Sequence, residues 1–324
     1  MTLFSMQELE QSAELVYQHM SATAQYSWPL INKEVGAEVW VKHENHTPAG
    51  AFKVRGGITF IDWLSKAHPD VKGIVTATRG NHGQSQARAA VAAGLTATIV
   101  VPEGNSKEKN AAMEAFGAKL IIEGADFDVA RGKADEIAVN EKLYPVAPFH
   151  SHLVMGVSTY ALELFSSVPD LDTVYVPVGC GSGICGLITA RDLLGLSTKI
   201  VGVVSTEAQA VKLSYDSGII TQTESANTFA DGMAVRAVIP EAYAVYSEGA
   251  QRIVAVTDDA VAQAIRLYYK HTHNLAEGAG AAPLAALMQE KAAMRGKKVA
   301  VILCGGNIDT DIFVSVMNGQ TPTV

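Results

Sequence analysis

The strongest constraint on how this chain can fold is an alternation of two kinds of segment. Short runs rich in β-branched residues recur at EVWVKHE (38 to 44), KGIVTAT (72 to 78), LTATIVVP (95 to 102), AKLIIEG (118 to 124), DTVYVPVG (172 to 179), KIVGVVS (199 to 205) and KKVAVILCGG (297 to 306). Between them lie Ala-rich stretches of helical period, such as NHGQSQARAAVAAG and NSKEKNAAMEAFG. Each opens near Asn or Ser and stops at Gly, as capped helices do. Strands joined through helices run parallel and are buried on both faces, so the pattern predicts an α/β architecture with parallel sheets.

The 324 residues suggest about two domains at roughly 100 to 200 residues each. The division expected is a smaller domain, 45–147, inserted in a larger one built from 1–44 and 148–324, with the return crossing at PVAPFHSHLVMG. Lys plus Arg number 25 against 33 Asp plus Glu, a balance of -8. That excludes a basic footprint for nucleic acid or an anionic membrane surface and points to small-molecule partners. Three cysteines, Cys180, Cys185 and Cys304, are an odd number without framework spacing, which fits a reducing compartment. The N-terminal stretch MTLFSMQELEQSAELVYQHM carries acids early and does not read as a signal peptide. No apolar run reaches the roughly 18 residues of a membrane span. The expectation is a soluble, cytoplasmic protein.

Four loops follow predicted strands directly, at the end of a parallel sheet where α/β proteins bind ligands. GCGSGICG (179 to 186) precedes a helical segment, so its backbone N–H groups converge at a helix N-terminus and suit a phosphate. Gly181, Gly183 and Gly186 also satisfy GxGxxG, and Glu207 ends the next strand, which makes a nicotinamide-dependent Rossmann oxidoreductase a competing reading. A Gly-rich turn without a ligand is the bland one. In TPAGAFKVRGG (47 to 57), Lys53 stands between Phe52 and Val54. An amine desolvated there would have a depressed pKa and be available for Schiff-base chemistry, although most lysines are solvated surface residues. TATRGNHGQS (76 to 85) turns a strand end into a helix through Gly80, with Asn81 and the new helix's N–H groups able to hold a carboxylate or phenolic oxygen. His82 is read as a lining residue. In ILCGGNID (302 to 309), Cys304 closes a buried strand and is a core residue unless a ligand nitrogen faces it.

In order, TPAGAFKVRGG, TRGNHGQS, GCGSGICG, TFADGMAV (228 to 235) and LCGGNID resemble the fold type II pyridoxal phosphate (PLP) enzymes, in particular the threonine and serine dehydratase branch that includes serine racemase. VVPEGNSKEKNAAMEAFGAKLI (100 to 121) and LAEGAGAAPLAAL (275 to 287) are two further stretches of that kind, and the resemblance runs from about residue 25 to 310. It implies two three-layer domains with parallel sheets, the smaller inserted in the larger. It implies PLP bound as a Schiff base on Lys53 beside Phe52, with Asn81 on its phenolic oxygen. Gly179, Cys180, Gly181, Ser182 and Gly183 would cradle the phosphate, Gly232 would line the site, and Cys304 would face the pyridine nitrogen. The substrate carboxylate would sit on the turn Thr78, Arg79, Gly80, Asn81 and His82. The implied reaction is elimination of the β-hydroxyl from a 3-hydroxy amino acid followed by hydrolysis, which releases a 2-oxo acid and ammonia, in a homodimer or homotetramer. A PLP-dependent β-replacement synthase of the same fold is the closer rival.

The chain departs from the family pattern at several points. Relatives commonly read Ser-Ser-Gly-Asn-His where this chain has Thr78-Arg79-Gly80-Asn81-His82. The serine at the Arg79 position is the second proton carrier of the racemase. A guanidinium cannot exchange a proton readily, so little racemase activity is expected. Arg79 either points to solvent or pairs with a β-carboxylate, as in 3-hydroxyaspartate, or stacks on an aromatic ring, as in phenylserine. The divalent-metal site of some relatives needs an acid beyond the Glu207 position, where this chain has Lys212 and Leu213, so no metal is expected. Gly156-Val157-Ser158-Thr159 stands where relatives often have GQGT. Fifteen residues after Asp309 leave no room for a C-terminal regulatory domain, which favours a catabolic or specialised dehydratase.

Overall fold

The computed structural model describes residues 2–323. Its ten strands are β1 (Gln25–Ser27), β2 (Glu38–His43), β3 (Gly73–Ala77), β4 (Thr96–Val101), β5 (Lys119–Ile122), β6 (Tyr144–Pro145), β7 (Thr173–Pro177), β8 (Lys199–Ser205), β9 (Arg252–Val256) and β10 (Lys298–Leu303). They form a six-stranded sheet in the order β1-β2-β10-β7-β8-β9 and a four-stranded sheet in the order β5-β4-β3-β6. Every pairing is parallel except β1 with β2. The whole smaller sheet lies in sequence between β2 and β7, which both pair with β10 in the larger one. All seven β-branched runs are strands, and the alternation is an α/β fold with two parallel sheets. Consecutive residues of β4, β8 and β10 are buried, so helices cover both faces of each sheet. The structure adds β1 and β6, too short to leave a pattern, and the edge strand β9, whose RIVAV does carry one.

The helix that starts at Lys53 (Lys53–Ala67) is held by close backbone approach. A Cβ on Gly156, in the helix Ser151–Ser167, would lie 2.3 Å from the Arg55 carbonyl oxygen, and one on Gly56 would lie 2.7 Å from that of Leu153. Gly57 packs as tightly on Ser85 of the helix Asn81–Ala92. Three helices therefore meet around the first turn after Lys53.

A buried, charge-balanced network anchors the same turn. The Arg55 guanidinium is fully buried and donates to Glu44 (2.7 and 2.9 Å) and to Glu163 (2.6 and 3.0 Å). Glu163 also accepts from Lys42 of β2, from the Tyr17 hydroxyl at 2.9 Å and from the Thr23 N–H at 3.2 Å. Two cations thus face two anions, with few hydrogen-bonding sites unused. Such a cluster adds little net stability, because desolvation offsets the attraction, but removing one member leaves a buried charge without its partner.

Candidate active site

The strand ends of the two sheets face one cleft. β3 runs out at Ala77 into Thr78 and the turn to Asn81, β7 at Pro177 into Gly179 and the loop to Gly183, and β10 at Leu303 into Cys304. The wall of this cavity contains Phe52, Lys53, Thr78, Arg79, Gly80, Asn81 and His82, together with Gly179, Cys180, Gly181, Ser182, Gly183, Gly232 and Cys304. The structure therefore brings together every residue that the resemblance assigned to the site. Gly186 does not line the cavity: a Cβ there would lie 3.0 Å from Ser158 Oγ, so this glycine serves helix packing.

Lys53 is tied to the opposite strand end through its neighbour, because the Phe52 N–H donates to the Cys304 carbonyl at 2.9 Å. Its amine lies 3.1 Å from Ser182 Oγ and 5.0 Å from the centre of the Phe52 ring. Burial lowers its pKa, which favours the neutral, nucleophilic form. Ser182 is the first residue of the helix Ser182–Leu193, so the amine stands at the positive end of a helix dipole. The loop before it is built for backbone proximity. Gly181 is left-handed at φ +98°, and a Cβ on Gly179 would lie 2.2 Å from the Gly232 carbonyl oxygen.

On the far wall, the Gly80 N–H donates to Thr78 Oγ1 at 3.0 Å and closes the turn into the helix of Asn81. Arg79, half-buried in the cavity wall, makes no hydrogen bond or ion pair among the described residues. Burial depresses the His82 imidazole to about 3, with the Lys53 amine adding to the effect, so it is neutral. Burial pushes the Cys304 thiol well above its ordinary range, and Glu277 adds to this, so it too is neutral.

Sequence reasoning missed a polar set in the same cavity wall. Lys109 reaches across from the smaller sheet's side to pair with Asp231, and its amine lies 3.4 Å from Glu277 Oε2. Glu277 is buried and accepts from Asn81 Nδ2 at 2.7 Å. Its carboxyl is pushed up to about 7 by burial, against the pull of Lys109 and with Asp231 adding to the rise. Burial works against the Lys109 charge, but Asp231 and Glu277 more than offset it and raise the amine's pKa. Glu277 had left a signal, being the one acid at the head of the otherwise apolar stretch GAGAAPLAAL. Lys109 had left none, since nothing in KEK separates it from Lys107.

A buried nucleophilic amine beside an anion cradle, facing a neutral thiol and a carboxamide, defines a carbonyl-cofactor site. The family model described as pyridoxal-phosphate dependent enzyme matches residues 16–305, and the chain belongs to that family. Its cofactor is accordingly PLP, and its fold is that of the fold type II enzymes. The chain is 33% identical over 318 residues to an L-threonine ammonia-lyase of Thermotoga maritima, an alignment covering 98% of this chain and 78% of the relative. It is 30% identical to a putative threonine dehydratase of Sinorhizobium fredii, covering 97% and 96%. The processed form of threonine deaminase isoform 2 from Solanum lycopersicum superposes with a TM-score of 0.89 at 28% identity, covering 98% of this chain and 94% of that one. Family membership sets aside the nicotinamide reading of the GxGxxG loop.

The residues fit the cofactor. The loop from Gly179 to Gly183 lines the cavity at a helix N-terminus, Gly179 and Gly181 are packed too closely against Gly232 and Ala242 to carry side chains, and the amine that must meet the cofactor's aldehyde is at its edge.

Proposed function

We propose that the protein is a PLP-dependent ammonia-lyase that converts a 3-hydroxy amino acid of the threonine or serine type to a 2-oxo acid and ammonia. The observation that carries this reading is the desolvated Lys53 amine held 3.1 Å from Ser182 at the anion cradle and opposite a neutral Cys304. The sequence likeness to an L-threonine ammonia-lyase and to a putative threonine dehydratase supports it. In this reading PLP supplies an electron sink for the bond to the α-hydrogen. Lys53 Nζ would hold the cofactor and, when free, would serve as the base for the α-proton. The N–H groups of the turn from Thr78 to His82 orient the substrate carboxylate, and Asn81 holds the phenolic oxygen. The cradle from Gly179 to Gly183, with Cys180 and Ser182, holds the phosphate, and Gly232 and Phe52 wall the site. A neutral thiol at Cys304 would be only a weak donor to the pyridine nitrogen, which would favour β-elimination over reactions that need negative charge stored for long.

Arg79 narrows the substrate. It is a half-buried cation in the cavity wall with no anion among the described residues, which suits a β-carboxylate, as in 3-hydroxyaspartate, or the face of an aromatic ring, as in phenylserine. It cannot serve as the second proton carrier that racemisation requires. We place the smaller domain at 45–147 and the larger at 1–44 and 148–324, in a cytoplasmic homodimer or homotetramer without a catalytic metal. The test is 2-oxo acid formation from threonine, serine, 3-hydroxyaspartate and phenylserine, by the wild type and Arg79→Ser. Turnover without a second nucleophile is expected, which a β-replacement synthase would not show. No 2-oxo acid from any of the four would overturn the lyase reading; an unchanged ranking in Arg79→Ser would overturn the part given to Arg79.

A further inference from the structure

Asn307, two residues past the Gly305 that bridges to Ala51, touches the cleft only through another side chain. Its Nδ2 lies 2.8 Å from the Ala49 carbonyl oxygen, 2.9 Å from Asn81 Oδ1 and 3.5 Å from Gln84 Oε1. It is seated tightly, since a Cβ on Gly50 would lie 2.2 Å from Asn307 Oδ1. Which way round a carboxamide sits must be argued from its partners, and here one partner decides. A peptide carbonyl can only accept, so Asn307 must turn its NH2 to Ala49. The same NH2 faces Asn81, which must therefore turn its oxygen to Asn307 and its own NH2 the other way, toward Glu277 Oε1 at 2.7 Å. One N–H of Asn81 is spent on Glu277, and the second is left for the cavity that Asn81 lines.

We propose that Asn307 is a positioning residue that fixes the Asn81 carboxamide so that it offers a donor, and never its oxygen, to the cofactor's phenolic oxygen. This rests on the reading that PLP occupies this cleft with that oxygen at Asn81. A donor there keeps the phenolic oxygen ionised; an acceptor would force it to hold a proton. Asn81 belongs to the helix Asn81–Ala92, whereas Glu277 and Asn307 come from segments flanking β10, so the carboxamide is clamped from both sides across the cleft.

The experiment uses the PLP-loaded protein and Asn307→Asp. The aspartate has no N–H, so Asn81 must reverse its amide to donate to it. The expected result is a shift of the cofactor's absorption from its yellow visible band toward the near ultraviolet, with PLP held about tenfold more weakly for one lost hydrogen bond. Asn307→Asp combined with Glu277→Gln keeps the fold accessible, because the second substitution supplies an N–H for the reversed Asn81 oxygen; the absorption should remain shifted while thermal stability recovers. An unchanged spectrum and PLP affinity in a folded Asn307→Asp, or a double variant whose spectrum returns to the wild-type form, would overturn the proposal. A fall in apoprotein stability alone, with the wild-type spectrum, would likewise reduce Asn307 to a packing role. A wild type that takes no colour from PLP would instead defeat the cofactor reading.

Discussion

Replacing Glu163 by Ala should be among the most damaging single changes outside the cleft. The carboxylate is almost fully buried and takes hydrogen bonds from Arg55, Lys42, Tyr17 and the Thr23 N–H. Its loss leaves Arg55 and Lys42 facing Glu44 alone, so the cluster goes from balanced to one uncompensated buried positive charge. Breaking one partner of such a pair costs about 3–5 kcal/mol, against a total stability of about 5–15 kcal/mol. Urea unfolding of the apoprotein should therefore show a midpoint lowered by about a fifth or more with an unchanged slope. Removing a second charge tests the cause: Lys42→Met in the Glu163→Ala background restores neutrality and should recover part of the loss.

The pH dependence follows from the same geometry. Burial alone would raise the Glu163 pKa, but Arg55 and Lys42 override it and the carboxyl sits below its ordinary 4.5. A carboxylate with a depressed folded pKa gives stability that is complete above the unfolded value and is lost as pH falls through the folded one. The gap between wild type and Glu163→Ala should be constant above 4.5 and should close in acid below it. A gap under about 1 kcal/mol, the size of an exposed pair, or one that ignores acid, would refute the argument.

Three further outcomes are expected. Lys53→Ala should leave a folded protein whose PLP dialyses away, with 2-oxo acid formation down by at least about 10³-fold; a visible spectrum and a turnover assay check both. Gly156→Ala puts a Cβ 2.3 Å from the Arg55 carbonyl oxygen, so the two helices must separate at a cost of about 1–3 kcal/mol, read as a lower thermal midpoint and weaker PLP binding. Glu277, raised by burial to about 7, works in the opposite sense to Glu163. A raised carboxyl costs the fold nothing while both states are protonated and its full penalty once both are ionised. Apoprotein stability should therefore fall between about pH 4.5 and 7, and Glu277→Gln should flatten that slope in a series of thermal melts.

What was legible in the sequence shares one physical property: its cause lies within a few residues. The loops at 78–82 and 179–183 show themselves because a strand must end, a chain must turn, and small residues must let N–H groups converge. Lys53 shows itself because Phe52 and Val54 flank it. The missed strands divide by the same criterion. β1 and β6 span three and two residues, too few for a period, whereas the RIVAV of β9 had the pattern and only lacked the Gly-rich loop that drew attention to the others.

Lys109, Asp231, Glu277 and Asn307 fail the criterion, because each is explained by a partner that arrives across the cleft. Asp231 lies 122 residues from Lys109 and Asn307 lies 226 from Asn81. Gly80 shows how one residue can be half legible. Its place in the turn is plain from the sequence, and the Thr78 hydroxyl bears that out. Its second duty is visible only in three dimensions: a Cβ there would meet the Lys109 stem at 2.4 Å, so the glycine also lets the cation reach Asp231. An alanine at position 80 would therefore act at two places, the turn and the ion pair. The strand-end glycines of this cleft are constrained by the opposite wall as much as by the chain on which they lie.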